Sequence, residues 1–306
     1  MGDGALLLET FGSVLLPIAL IVGAGYLLGR VTRMDSRPLA LAVFYLFNPA
    51  LVFVSMVSTP VGADLLGRLA ILKLLVIITL VFLANLVAAG LRLSPALRSA
   101  FLLAVAFSNS GNFGLSVTEF AFGQDGLALA IICFMADNLA VNSIGVYFAA
   151  RGRASARAAL RQVATNPALY ALFLGLLVHQ AGIALPIAVD RATSTLGRAA
   201  VPVMQTVLGV QLATLAFTRQ HLKAIGWASA LSLLVAPLLA ALYVMPLGIT
   251  GLARQVGILE SAVPTAVSST IVATRYDSEP ALVSGTVLVT SLLSLITVTL
   301  TLYWIR

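Results

Sequence analysis

The sequence predicts an all-α polytopic membrane protein with ten transmembrane helices, arranged as two inverted five-helix repeats with helices 4 and 9 broken and crossed. Hydrophobic residues make up 60% of its 306 residues and charged residues only 9%, far from the composition of soluble domains. At about 20 apolar residues per span, short connections leave room for roughly ten helices. The third observation is a pair of polar, helix-breaking segments that lie about half a chain apart.

The apolar runs are separated by charged or Pro- and Gly-rich turns. They cover residues 11–29, 38–58, 69–91, 97–122, 126–149, 166–183, 187–215, 224–247, 251–275 and 280–304. The N-terminal segment carries Asp3 and Glu9 and lacks the positively charged start of a cleaved signal peptide. The first run is therefore expected to be a retained span.

Basic residues concentrate after the odd-numbered spans. Of the 18 Lys and Arg residues, twelve lie in those connections and six, with Lys73 counted among them, on the other side. The positive-inside rule then predicts that both termini of this multi-pass membrane protein are non-cytoplasmic. Because loops facing the lipid surface account for the net charge of +7, the lipid bilayer is the expected partner and nucleic acid is not.

The longest connection divides the chain into three parts. Residues 1–150 form the first repeat with spans 1–5, residues 151–165 a basic cytoplasmic linker, and residues 166–306 the second repeat with spans 6–10. Four Arg residues among alanines predict that the linker is a short helix on the inner leaflet.

Shifting the chain along itself by 154 residues aligns its helix breakers. The turn at 122–126 falls on 276–280, and the polar segment at 108–114 falls on 262–268. Since five spans per half is an odd number, the second half must insert upside down. Such inverted repeats predict a substrate site near the bilayer midplane, at the interface between the repeats.

The two breaks lie at residues 108–114 of span 4 and 260–266 of span 9. Glycines weaken a helix by about 1 kcal/mol each, and Pro264 removes a backbone donor. A break exposes a half-helix N-terminus that favours an anion such as a carboxylate, although a packed kink is the alternative interpretation. Substrate-binding candidates are the break residues, with Asn48 as part of a fixed wall: Asn109, Ser110, Gly111, Asn112, Val263, Pro264, Thr265 and Asn48.

Asp137 and Asn138 lie in the middle of span 5, where an ionised Asp costs about 2.5–3.5 kcal/mol. Such residues are functional candidates, so Asp137, Asn138 and Glu260, which adjoins the second break, are the candidate coupling groups for H⁺ or Na⁺. The single Cys133 has no partner, and neither His nor carboxylate spacing indicates a metal site. No cofactor is therefore expected.

Four segments resemble motifs of the auxin efflux carrier family, which includes plant auxin carriers and bacterial permeases for malate and malonate. They are residues 47–51, 109–114, 197–202, and 260–267 with 273–276. The resemblance implies a scaffold of spans 1, 2, 6 and 7 that forms a homodimer. It also implies a mobile transport domain of spans 3–5 and 8–10, with elevator-like movement. The plant members' long central loop is replaced here by residues 150–165, so auxin is not the expected substrate.

The predicted function is therefore a secondary transporter of a small organic anion such as malonate, malate or a related weak acid, and not an enzyme. The alternative is a monovalent cation/proton antiporter in which Asp137 binds the ion. The absence of a second acid beside Asp137 in the sequence disfavours that alternative. An intramembrane protease lacks its GxGD motif, and a channel would need a ring of like filters rather than two single breaks.

Overall fold

The computed structural model describes residues 3–58, 61–149, 161, 164–215, 217 and 219–306. Helices dominate this part of the chain, and the predicted linker helix at 151–165 lies largely outside it. The helices are α1 (Gly4–Thr32), α2 (Arg37–Ser58), α3 (Ala63–Gly90), α4 (Pro95–Ala106), α5 (Ser110–Ala149), α6 (Pro167–Gln180), α7 (Ile187–Thr214), α8 (Leu222–Val244), α9 (Gly251–Leu259), α10 (Val267–Arg275) and α11 (Pro280–Ile305).

Six of these helices, α1, α2, α3, α5, α8 and α11, are long and apolar enough to cross a membrane. Helices α4 and α6 are also apolar but shorter. Large apolar side chains on the outer faces, such as Phe82, Leu238 and Leu292, are exposed, as expected of surfaces that meet lipid. The chain is thus a polytopic helical protein, while the ten-span inverted arrangement stays a prediction.

Two boundaries differ from those predicted. Helix α3 begins at Ala63, six residues before the predicted start at 69. The prediction missed these residues because the first turns of the helix are only moderately apolar. Lys73 lies well inside α3, although the count of basic residues in the connections included it.

The helical conformation resumes at Ser110, so the observed first break is shorter than the predicted 108–114. The predicted turn at 122–126 is present: Gly123, with φ 67° and ψ −158°, divides α5 into two helical segments, and the Ser110 hydroxyl donates to Asp137 from one segment to the other.

Helices α1, α2, α6 and α7 pack against one another at glycines. A Cβ at Gly25 of α1 would lie 2.5 Å from the carbonyl oxygen of Thr206 on α7. A Cβ at Gly175 of α6 would lie 2.8 Å from Cβ of Met56 on α2. Small residues allow this close approach of backbones, which stabilises helix pairs in lipid.

Candidate functional site

The two helix breaks cross and pair with each other. Helix α4 ends at Ala106 and helix α9 at Leu259, and the chain is not helical at 107–109 and 260–266. The Asn109 N–H donates to the Pro264 carbonyl at 2.7 Å, and the Ala266 N–H donates to the Phe107 carbonyl at 2.9 Å. Each break thereby satisfies backbone groups of the other, as irregular backbone away from water must.

The second break also bonds to the neighbouring helices α4 and α11, which stabilises the crossing. The Thr265 hydroxyl donates to the Ala104 carbonyl at 2.8 Å, and the Thr265 N–H donates to the Thr290 hydroxyl at 3.1 Å. Val263 and Thr265 are completely buried, and Pro264 is buried beside them. These three predicted residues build the crossing, and their side chains do not line the cavity that lies next to it.

A cavity of about 360 Å³ opens beside the crossing, between the first break and helices α2, α5, α7 and α10. It brings together six of the residues predicted from sequence: Asn48, Asn109, Gly111, Asn112, Asp137 and Asn138. Six polar lining residues were not among the predicted site residues: Ser108, Asn142, Gln211, Ser268, Arg275 and Tyr276.

Three amide side chains of the cavity wall have unused hydrogen-bonding capacity. Asn48 Oδ1, Asn109 Nδ2 and Gln211 Oε1 are buried and have no partner among the described residues. A buried polar atom without a partner costs about 1–3 kcal/mol, so three such atoms in the wall of one cavity mark it as a candidate site for a polar ligand. Asn138 differs, because its Oδ1 accepts from Asn166 at 2.9 Å and ties α5 to the start of α6.

Two helices begin at the cavity wall. Gly111 and Asn112 belong to the first turn of α5, and Ser268 belongs to the first turn of α10. The first N–H groups of a helix have no intrahelical acceptor, and the helix dipole adds positive potential there. This geometry favours the binding of an anion.

Arg275 is the one cation among the described residues that line the cavity. It ends α10, is exposed, and places its guanidinium carbon 5.7 Å from the centre of the Tyr276 ring. No ion pair engages Arg275 within the described part of the chain. Its charge is therefore free to attract an anion to the cavity.

A buried cluster of charges lies deeper, against the crossing. Lys73 Nζ is 3.0 Å from Asp137 Oδ2 and donates to the Glu260 main-chain carbonyl at 2.9 Å. The hydroxyls of Ser108, at 2.7 Å, and Ser110 donate to the same carboxylate oxygen. The placement of Lys73 among the connection charges was wrong, since its side chain is 2% exposed. Asp137 is thus neutralised by a cation of the protein itself.

Glu260, the candidate coupling group beside the second break, is completely buried. Its Oε1 accepts from the Thr118 hydroxyl at 2.7 Å, while Oε2 has no partner and lies against Gly114. Lys73 interacts electrostatically with both Asp137 and Glu260. Asp137 has no second acid beside it in the sequence, but the fold places Glu260, 123 positions further on, in the same charged cluster.

The site residues that the sequence analysis missed differ in how clearly the surrounding sequence indicates their role. Lys73 interrupts the run Ile71-Leu72-Lys73-Leu74-Leu75, and a lone cation within such a run is itself a sign of a buried role. Gln211 and Arg275 carry no comparable local signal, because only the packing of α7 and α10 brings them to the cavity. Among the described residues, no group of three or more His, Cys, Asp or Glu side chains could hold a metal ion.

Comparison with known proteins gives a family and several relatives. The sequence profile of a family described as "Membrane transport protein" matches residues 11–302. An "Uncharacterized transporter" of Methanothermobacter thermautotrophicus is 29% identical over 93% of this chain and 95% of its own length. An uncharacterized transporter of Methanocaldococcus jannaschii is 25% identical over 94% and 96%. A "Putative malonate transporter" of Rhizobium meliloti is 27% identical over 96% and 95%.

Proposed function

This chain belongs to the membrane transport protein family, as its motifs predicted, and on that premise we propose that it is a secondary transporter of a small organic anion. It is a membrane transporter rather than an enzyme, because both the family and the relatives are described as transporters. The single observation that carries the proposal is the cavity at the crossing. It has one unpaired cation, two helix N-termini and three unsatisfied amides, and its Asp137 is neutralised by Lys73.

The size and polarity of the cavity support a small carboxylate as the substrate. A volume of about 360 Å³ is near the lower end of the usual range for ligand pockets. Asn109, Gly111 and Asn112 would bind the carboxylate at the start of α5, with Asn48 on the facing wall. Malonate and malate are the first candidates, since the name of the Rhizobium meliloti relative contains malonate.

The transport mechanism we assign is elevator-like alternating access within ten spans of two inverted repeats. The α1–α7 and α2–α6 pairs, which correspond to spans 1, 7, 2 and 6, would form the scaffold and the homodimer. Their glycine contacts support a rigid unit. The crossing would move with the remaining spans, and the Lys73–Asp137 pair would move with it.

The proposed orientation has both termini on the non-cytoplasmic side of a bacterial inner membrane. With Lys73 removed from the count, twelve basic residues face five, which strengthens the positive-inside argument. The start of α2, the end of α5 and the end of α10 border the cavity, and all three lie on the predicted cytoplasmic side. On this assignment the cavity is open towards the cytoplasm.

Uptake by proteoliposomes tests the proposal. We expect saturable uptake of radiolabelled malonate or malate that an imposed proton or sodium gradient stimulates, because a secondary transporter draws on such a gradient. Protein-free liposomes are the control. Absence of uptake, together with dissipation of an imposed pH gradient on addition of sodium or potassium, would replace the proposal with the cation/proton antiporter.

Arg275→Gln is expected to raise the KM for the carboxylate about tenfold or more and to change kcat little. Charge-assisted hydrogen bonds contribute about 1.5–3 kcal/mol, and this one would form on substrate binding. The measurement is initial uptake rate against substrate concentration. Arg254→Gln is the matched control, because Arg254 lies in α9, in the same predicted span, and does not line the cavity. Equal KM values for the two variants would remove Arg275 from the site.

A further inference from the structure

A second cavity, apolar and of about 430 Å³, lies between α1, α7 and α11. Its walls are almost entirely apolar, and they include Val22 and Gly23 of α1, Leu208 and Leu212 of α7, and Phe113 of α5. Tyr26 and Leu292, which also line it, are 40% and 71% exposed. The cavity therefore opens on the side of the protein that meets lipid.

A dibasic cavity of about 350 Å³ continues the apolar cavity along the same two helices. It is lined by Gly29 and Arg30 of α1, by Arg33 directly after the end of α1, and by the last two residues of α7, Ala213 and Thr214. Residues 26, 29 and 30 follow the helical spacing that places them on one face of α1. On α7 the apolar cavity is lined by Leu208 and Leu212, and the dibasic cavity by Ala213 and Thr214 at the end of the helix.

Helices α1 and α7 run parallel where they border these cavities. A Cβ at Gly25 would lie 2.5 Å from the Thr206 carbonyl oxygen, and a Cβ at Gly29 would lie 3.1 Å from Cα of Val210. Both helices therefore run from the apolar cavity towards the dibasic cavity. The two cavities follow one another along the closely packed α1–α7 pair, and the two together are called the groove below.

The length of the groove matches one leaflet of a bilayer. Fifteen residues separate Ile18, at the apolar end, from Arg33, which at 1.5 Å per residue is about 22 Å. A bilayer with its headgroup regions is about 40–45 Å thick, so half of it is close to the same length. A lipid of one leaflet would thus place its acyl chain among the aliphatic side chains and its phosphate at the arginines.

We propose that this groove binds one anionic phospholipid. Arg30 and Arg33 are exposed, and no ion pair engages either within the described part of the chain. Arginine near the end of a helix also balances the helix dipole, but that role requires no apolar cavity beside it. Basic side chains at the membrane surface attract anionic lipids, and the adjoining cavity adds a site for the chain.

The test is native mass spectrometry of the purified full-length chain titrated with phosphatidylglycerol or phosphatidylcholine of identical acyl chains. We expect wild-type protein to retain one phosphatidylglycerol more tightly than phosphatidylcholine. Arg30→Gln/Arg33→Gln should weaken phosphatidylglycerol binding about 30-fold. Arg92→Gln/Arg219→Gln is the matched control, because it removes the same charge from exposed arginines that do not line the groove.

A second pair of variants tests the apolar half without changing charge. Nothing lies within 4 Å of a Cβ built at Gly23, so Gly23→Leu should fill the cavity and weaken binding of both lipids. Gly12→Leu, also in open space on α1 but outside the groove, should bind as wild type does. Unchanged phosphatidylglycerol binding in the double arginine variant would overturn the proposal. So would displacement of the lipid by an equal concentration of inorganic phosphate, which would mean that the arginines bind free phosphate.

Discussion

Replacement of Lys73 by methionine is expected to destabilise the protein by about 3–5 kcal/mol. The Lys73 ammonium is the cation that pairs with the Asp137 carboxylate at 3.0 Å, and it also donates to the Glu260 carbonyl. Without it, Asp137 retains only the hydroxyl donors Ser108 and Ser110, and a buried carboxylate is left without a counter-charge. Removal of one partner of a buried pair is far more harmful than replacement of both.

The measurement is the melting temperature of the purified variants in detergent. Lys73→Met should lower it on the order of 10 °C, and addition of Asp137→Asn to Lys73→Met should restore most of the loss. Asp64→Asn is the control, since the Asp64 carboxylate is exposed on the same helix and pairs with Arg68 at 2.8 Å. Such exposed pairs contribute about 0–1 kcal/mol. If Lys73→Met melts with the control, the buried pair does not stabilise the crossing.

Removal of the two amides of the first break is expected to abolish transport while the fold persists. Asn109→Ala and Asn112→Ala should each reduce kcat/KM about 10- to 100-fold, and the double variant should fall to background. The reason is that the crossing depends on main-chain bonds: the Asn109 N–H donates to Pro264, and the Asn109 carbonyl accepts from Phe113 and Gly114. Alanine preserves these bonds and removes only the side chains that line the cavity.

Uptake rates and melting temperatures of the same preparations separate the two effects. Asn85→Ala is the control, because Asn85 is an amide within α3 that bonds to Arg98 at 2.8 Å and does not line the cavity. Wild-type uptake by both single variants would mean that the break in span 4 is a structural kink. If the variants that lose uptake also melt at a much lower temperature than the wild type, the loss is due to unfolding. That result would contradict the claim that these side chains act on the substrate.

The sequence was sufficient for features that depend on local chemistry. The predicted break at 108–114 overlaps the observed one at 107–109, although Gly111, Asn112 and Gly114 belong to the first turn of α5. The break at 260–266 was located correctly, because Pro264 disfavours helix within an apolar run. The burial of Asp137 followed from its place in the middle of an apolar span, and motif spacing identified the family. The gathering of Asn48, Asn109, Asn112 and Asp137 around one cavity also accords with the candidates chosen.

Only the tertiary structure decided which of these groups meet. Lys73 and Asp137 are 64 positions apart, and their ion pair depends on the rotation of α3 about its axis relative to α5. Likewise, the two breaks pair although Asn109 and Thr265 are 156 positions apart in the sequence. The packing of α10 brings Arg275 to the cavity. Periodicity predicts which residues share a face of one helix, but not which face of another helix they contact. In this protein the contacts between helices set the charge of the cavity. They place Lys73 beside Asp137 and leave Arg275 without an ion-pair partner among the described residues.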